Sequence, residues 1–420
     1  MNPFTFHSAP APLRNACLVA VSCIFLSQAA PLAAQGHSLW SKTLYFEGES
    51  GFSALAPTSD GGTVAAGFAP SERFKGSPET NSDALIAKIA PDGTVVWETL
   101  LGGSETDIAY AVAQTSDGGY LAGGFTRSGD GDFGRGGTRA DSPWVAMLDS
   151  SGSLLWARIL PGTGSGGAWV KALDAPEPGE AVAVGFGTAL TGEGCSGSAT
   201  VALWKIADQG RKATVLCTGI SFTFPDAFPA LAAAVLPGGE AAAAWPADGT
   251  IRVSRLSASG SESWSRDMGR GEVAALAPAA GGGVYGGGRA PDGRPRIFAL
   301  GADGSLGWER AVSGVPQGAV SGMTSWTGGF FAAGTAEIPG RRGEGNFEML
   351  ALKGDSDGAT LWSTTAGGRG VDTAQAAASI RDGTFLAAGS TSSWDGFLSN
   401  RRRGGRSRQG LDPWIVKFNP

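Results

Sequence analysis

An all-β, seven-bladed β-propeller of four-stranded antiparallel blades is the fold this sequence predicts, and three observations predict it. An 11-residue pattern, clearest as SDGGYLAGGFT (116–126), occurs seven times. A second pattern, Gly-x-x-x-Trp, recurs in most of the repeats. An outer strand stands alone near the N-terminus and a third strand stands alone at the C-terminus, so that together they complete one unit.

The copies begin at residues 59, 116, 177, 236, 280, 326 and 381, a period of about 54. SDGGTVAAGFA (59–69), WTGGFFAAGTA (326–336) and RDGTFLAAGST (381–391) are strong; EPGEAVAVGFG (177–187), LPGGEAAAAWP (236–246) and AGGGVYGGGRA (280–290) are weaker. Periods of this length with strand-like content indicate propeller blades. In blade 2, IAYAVAQT (108–115) is an alternating strand closed by the Asp117-Gly118 turn. GYLAGGFT (119–126), SPWVAMLD (142–149) and SLLWARIL (153–160) follow as strands, giving four, A to D from the hub outward. No segment sustains a 3.6-residue helical period.

Gly-x-x-x-Trp occurs at Gly93/Trp97, Gly152/Trp156, Gly260/Trp264, Gly304/Trp308 and Gly358/Trp362. The glycine makes the C-to-D turn, and the tryptophan lies on strand D, where its large area seals one blade against the next. Blade 3 has Gly210 but Thr214 in place of the tryptophan. A sixth copy, Gly36/Trp40, is a strand D with no A to C before it, and DPWIVKFNP (412–420) is a strand C with no D after it. Pairing strand 37–44 outside strand 412–420 closes the ring and removes the exposed sheet edges.

Composition agrees. Glycine is 68 of 420 residues, about 16% against a usual share of about 7%, and without a Gly-X-Y period that excess means turns. A net charge of −6 implies neither nucleic acid nor an anionic membrane as partner. Arg14 is the only charge in the first 40 residues and precedes the apolar run 16–30, too short for a membrane span. Residues 1–34 therefore read as an export signal peptide ending at Ala34, and residues 35–420 as the propeller, with no transmembrane segment. A lipoprotein would use Cys23, but AVSC lacks the leucine expected three residues upstream. The expectation is a periplasmic, secreted or cell-surface bacterial protein and a monomeric ring. Cys195 and Cys217 are then the only cysteines left, and a pair in an exported chain is expected to be a disulfide, linking the blade 3 B-to-C loop to a point near the exit of its strand D.

The run AVAQTSDGGYLAGGFTRSGDGDF…DSPWVAMLDSSGSLLWARILPG resembles the blades of exported bacterial beta-propeller repeat proteins, of the form TSDGGY-x-x-AG … W-V-x-x-L-D-x-x-G-x-x-x-W. The resemblance covers residues 36–420, strong in blades 1, 2, 6 and 7 and faint in 3, 4 and 5. It implies a seven-bladed ring outside the cytoplasm and no single activity.

Sharper propeller chemistries do not match. Quinone-dependent dehydrogenases resemble longer eight-bladed chains with adjacent cysteines, Asp boxes place glycine three before tryptophan rather than four, and Trp394-Asp395 is a lone WD pair. No HExxH, G-x-S-x-G or P-loop is present, and one histidine, His37, remains after the signal. No cofactor and no metal are expected. Asp107 and Asp372 each stand ten residues before their hairpin Asp, and are expected to satisfy loop amides at a blade entrance. Asp130 and Asp132 suggest a calcium loop, but two carboxylates fall short of six to eight oxygens, so turn chemistry is expected.

Function is expected from the B-to-C loops, which all emerge on one face. They are long in blade 7 (392–411) and blade 2 (127–141), intermediate in blades 1, 3 and 6 (70–82, 188–199, 337–346), and minimal in blades 4 and 5. Trp394 and Phe397 accompany Arg401, Arg402, Arg403, Arg406 and Arg408 in blade 7, and Phe133 and Arg135 lie in blade 2. Aromatics beside arginines are the types enriched at binding hot spots. The expected function is a non-enzymatic binding or scaffold module taking a protein, or an anionic glycan or envelope polymer, across blades 7, 1 and 2. The rivals are a lyase- or glycosidase-type enzyme with carboxylates at the channel mouth, and a purely structural surface protein with no polarised face.

Overall fold

The computed structural model describes residues 36–71, 81–136, 140–162, 166–175, 179–192, 195, 199–223, 231–339, 345–393, 395 and 410–420. The expected signal peptide lies outside them. They form seven four-stranded antiparallel sheets. Six sheets use four consecutive strands; the seventh runs Asp372–Ser379, Phe385–Thr391, Asp412–Phe418 and then Ser38–Thr43 as its outer strand. That outer strand pairs from Ser38↔Phe418 to Thr43↔Trp414. His37 N–H donates to Asn419 Oδ1 at 2.9 Å, and Asn419 N–H donates to the His37 carbonyl at 3.0 Å.

The seven pattern copies are the A-to-B hairpins, and their small residues have a steric cause. In six blades strand A carries a β-bulge, at Ser53, Tyr110, Lys171, Ala274, Ser321 and Gln375. A bulge adds a residue and kinks its strand. The kink drives a strand A carbonyl against one strand B residue, and that residue is glycine each time: Gly67, Gly124, Gly185, Gly288, Gly334 and Gly389. A Cβ there would collide with the backbone oxygen of Gly51, Ile108, Trp169, Glu272, Ala319 or Thr373. Blade 4 has Ala244 at this position, and its strands Ala232–Leu236 and Glu240–Ala247 pair in unbroken register.

The second motif links the blades. Each C-to-D turn glycine has positive φ, and in six of the seven the indole of the preceding blade lies on it. Cβ atoms built at Gly93, Gly152, Gly210, Gly304, Gly358 and Gly36 would stand 2.5 to 3.0 Å from Trp40, Trp97, Trp156, Trp264, Trp308 and Trp362 respectively. Trp40, Trp97, Trp264 and Trp308 also donate their indole N–H to turn carbonyls of the next blade, those of Pro91, Ser150, Ala302 and Ser356, at 2.8 to 3.3 Å. One Gly-x-x-x-Trp therefore serves two interfaces: its glycine receives an indole from behind, and its tryptophan goes forward. At the blade 3–4 junction, where Thr214 replaces tryptophan, Gly260 meets only Leu216 Cβ at 3.4 Å. In the same blade Cys195 and Cys217 form a disulfide with Cα atoms 5.0 Å apart. Cys217 lies in the middle of strand D rather than near its exit, because that strand runs on to Phe222.

Two contacts separate from backbone strain here. Gly124→Ala keeps an ordinary φ but meets the Ile108 carbonyl, and Gly152→Ala combines φ +83° with the Trp97 ring. Each is expected to destabilise the fold by about 2–3 kcal/mol. Gly118→Ala, at φ +88° with no atom within 4 Å, is expected to lose only about 1 kcal/mol. Urea unfolding midpoints of the three variants check the ranking.

Candidate functional site

Strand A is innermost in every blade, since the A strands of successive blades contact one another all round the ring. Antiparallel order then puts the A-to-B and C-to-D turns on one face and the B-to-C and D-to-A connections on the other. The six bulge residues occupy equivalent levels of the inner strands. Each is partly or fully exposed although its strand is innermost, so its free surface opens onto the central channel.

Two bulge residues meet between blades 2 and 3. Lys171 Nζ lies 4.0 Å from the Tyr110 ring centroid. The residue is half-buried, and desolvation lowers its pKa from 10.5 to about 8. Lys171 has no hydrogen bond or ion pair among the described residues. Around the pair, Tyr110 packs on Phe125, Arg127 lies over Phe125 and pairs with Asp141 at 2.6 Å, and Trp169 donates to Asp141 Oδ2 at 2.8 Å. Burial, followed by the Asp141 charge, raises the Tyr110 phenol above its ordinary pKa.

A second exposed group stands on the same face between blades 6 and 7. Phe347 and Val371 form an isolated parallel bridge and are 40% and 41% exposed, two neighbours among the large apolar side chains that reach solvent in the described residues. Arg369 beside them is 75% exposed and pairs with Asp395 at 3.0 Å, next to the long blade 7 connection.

The sequence-selected carboxylates hold loops. Asp107 and Asp372 are wholly buried. Asp107 Oδ2 accepts from Gly103 N–H at 2.9 Å and Ser128 Oγ at 2.8 Å; Asp372 Oδ2 accepts from Gly368 N–H at 2.8 Å and Ser393 Oγ at 2.6 Å. Thr391 donates to Asp372 as well. The serines in turn accept from Glu105 and Gly370 N–H, and Asp130 and Asp395 accept from Ser104 and Arg369 N–H. Gly-Gly-x-x-x-Asp paired with Thr-x-Ser-x-Asp is thus a loop-anchoring signature, legible in the sequence only once the two segments are known to touch. Asp132 Oδ2 accepts from Gly102 N–H at 3.0 Å, so Asp130 and Asp132 both act in turn chemistry. At the opposite channel mouth, hairpin carboxylates Asp60 and Asp382 pair with the buried Lys88 and Lys417, each at 2.9 Å. A cavity of about 400 Å³ opens there, lined by the A-to-B turns of blades 1, 2 and 7 with Gln114 and Arg381.

Of the residues expected to bind, Trp394, Phe397 and Arg401 to Arg408 lie outside the described residues, as does the side chain of Arg135. Phe133 is not a surface anchor. A 3₁₀ turn, Gly131–Gly136, folds it back onto Trp144 at 5.0 Å, in the blade 1–2 core. The blade 6 connection is also shorter than expected, because strands B and C stay paired out to Pro339↔Gly345. Tyr110, Lys171, Phe347 and Val371 were not singled out from sequence, since each stands in a strand or loop position whose exposure depends on the ring.

Asp107 makes stability depend on pH. Burial, opposed by the Thr126, Gly103 and Ser128 donors and aided by Asp83, raises its pKa from 3.8 to about 6. Between those values the folded chain holds a proton that the unfolded chain has lost, so this group's contribution increases as pH falls from 6 towards 3.8. Asp60 acts oppositely and lower. Its pKa is lowered to about 2, the Thr58, Lys88 and Gly62 contacts outweighing desolvation, so its stabilisation is present above 3.8 and lost below. Thermal melts should show wild type gaining on Asp107→Asn between pH 7 and pH 5, roughly the window set by these values. A difference that stays constant with pH would contradict the assignment.

No protein-family model matches the chain, and no curated protein matches it in sequence. Solved structures match in fold. The chain is similar to YCF48 bound to D1 peptide, at 8% identity and TM-score 0.51 over 90% of this chain and 97% of that one. It is also similar to BamB from Moraxella catarrhalis, at 12% identity, TM-score 0.41 and 91% and 99% coverage. A protein of unknown function from Dyadobacter fermentans aligns at 14% identity and TM-score 0.47 over 76% of this chain and 99% of that one. At these identities what is shared is the propeller fold.

Proposed function

We propose that the protein is an exported, non-enzymatic binding or scaffold propeller that engages an acidic protein segment or anionic polymer on its B-to-C face. The observation that carries this reading is the exposed Phe347–Val371 pair with Arg369 at its rim. Large apolar side chains left in water beside a basic group are the composition of an interaction centre with a polar border. This group borders the blade 7 connection, whose sequence adds Trp394, Phe397 and five arginines. The Arg127, Trp169 and Tyr110 cluster lies at the blade 2–3 junction, so a partner spanning blades 7, 1 and 2 meets aromatic and cationic groups at both ends. YCF48, a propeller of similar fold, has been captured with a peptide, which supports a protein ligand. The buried, amide-bound state of Asp107 and Asp372 leaves these two carboxylates no access to a substrate, and so favours binding over carboxylate catalysis. Export is supported by the apolar N-terminal run and by the disulfide.

The test is biolayer interferometry with poly-L-glutamate and with heparin as probes. Changing the five arginines of 401–408 to serine, or Phe347 to serine, is expected to weaken capture about tenfold or more at low salt while leaving the melting temperature in place. High salt should reduce wild-type capture and have little effect on the arginine variant. Capture unaffected by either change would overturn the face assignment.

A further inference from the structure

The inner strands leave a row of side chains on the channel wall. This wall holds a level of polar bulge residues: Ser53, Tyr110, Lys171, Ser321 and Gln375, with Ala274 the sixth member and blade 4 contributing none. Among the described residues no side chain of these five has a hydrogen-bond or ion-pair partner. Five such side chains together on an inner wall leave donors facing whatever fills the channel.

We infer that this level of the channel binds a small monocarboxylate, with the Lys171 ammonium as its ion-pair partner and the neutral donors of Ser53, Tyr110 and Gln375 around it. Lys171 is the only charged member of the level, and no carboxylate in the described structure neutralises it. The ammonium is partly desolvated against the Tyr110 ring and has no anionic partner among the described residues, so an anion entering the channel gains its attraction. Charge matching selects a monoanion: a phosphate dianion ordinarily requires several cations or an arginine fork, and Arg127 of the adjoining cluster is already paired with Asp141. Tyr110 serves as a platform whose face already holds the ammonium, which keeps Nζ in one place and lessens the ordering a ligand must impose.

The shared chemistry is a carboxylate on a slender polar body, and it has two sources: a free small acid, or the C-terminus of a peptide reaching into the channel. This site does not depend on the polymer-binding reading, since poly-L-glutamate capture by the outer face can survive loss of Lys171, and carboxylate binding can survive loss of the arginine run. Isothermal titration with N-acetylglycine, tetraglycine, the amides of both, and inorganic phosphate tests it. Both acids should bind wild type, neither amide should, and Lys171→Met should weaken the acids about tenfold or more, as expected for loss of a charge-assisted bond. Tetraglycine binding tighter than N-acetylglycine assigns the site to peptide ends; equal affinity assigns it to free acids. Because Lys171→Met removes a desolvated charge, its melting temperature should hold or rise at neutral pH. If that variant fails to fold, acylation of wild type read by peptide mass spectrometry replaces it, and N-acetylglycine should protect Lys171 selectively. Equal binding of acid and amide, tighter binding of phosphate, unchanged binding to Lys171→Met, or absence of protection would overturn the assignment.

Discussion

The close approach of a strand A carbonyl to a strand B glycine is the contact on which the rest of this molecule depends. Strand A cannot bulge unless the residue opposite lacks a Cβ, and Gly67, Gly124, Gly185, Gly288, Gly334 and Gly389 supply that space. Where alanine stands instead, at position 244, the blade keeps an unbroken ladder. The bulge then has two consequences. It raises the local twist of the inner strand, and it places one extra side chain per blade on the channel wall. A single steric requirement thus links the repeat pattern to the chemistry of the hub.

Between blades the equivalent constraint is an indole resting on a turn glycine. Because each Gly-x-x-x-Trp gives its glycine backward and its tryptophan forward, the motif is a chain of contacts around the ring. Trp362 closes that chain on Gly36, and strand Ser38–Thr43 carries Trp40 onward to Gly93. The closing blade is therefore stitched by backbone pairing and by the same side-chain contact used elsewhere. Blade 3 departs from the rule, and there the disulfide Cys195–Cys217 ties strand D to the preceding connection. A covalent constraint on the unfolded chain and a packed indole are different physical means of holding an outer strand.

The two faces differ in what their charges do. On the A-to-B face, Asp60 and Asp382 are held by lysines that penetrate from strand C. On the B-to-C face, buried aspartates anchor the loops, while Arg369, Phe347 and Val371 stay in water and Arg127 reaches half out of it. There Arg127 and Arg369 are paired with Asp141 and Asp395 while keeping exposed surface of their own. Lys171 stands inside the channel, over the Tyr110 ring.

Fold, blade number and ring closure were legible in the sequence because they rest on local signals repeated seven times: the Asp-Gly hairpin, the small-residue strand, and the glycine four residues before tryptophan. The role of Asp107 and Asp372 as loop anchors was legible too, since both stand at a fixed distance from a hairpin. The sequence could not reveal Phe133 as core, because only the 3₁₀ turn after blade 2 strand B decides that its ring faces Trp144 and not solvent. Nor could it single out Tyr110 and Lys171. Each reads as one residue of an alternating strand, and only the bulge, the inner position of strand A and the neighbouring blade bring an ammonium onto an aromatic face. Local backbone preferences and sterics are written in adjacent residues; exposure at a channel wall is set by seven blades meeting, and that was decided by tertiary structure alone.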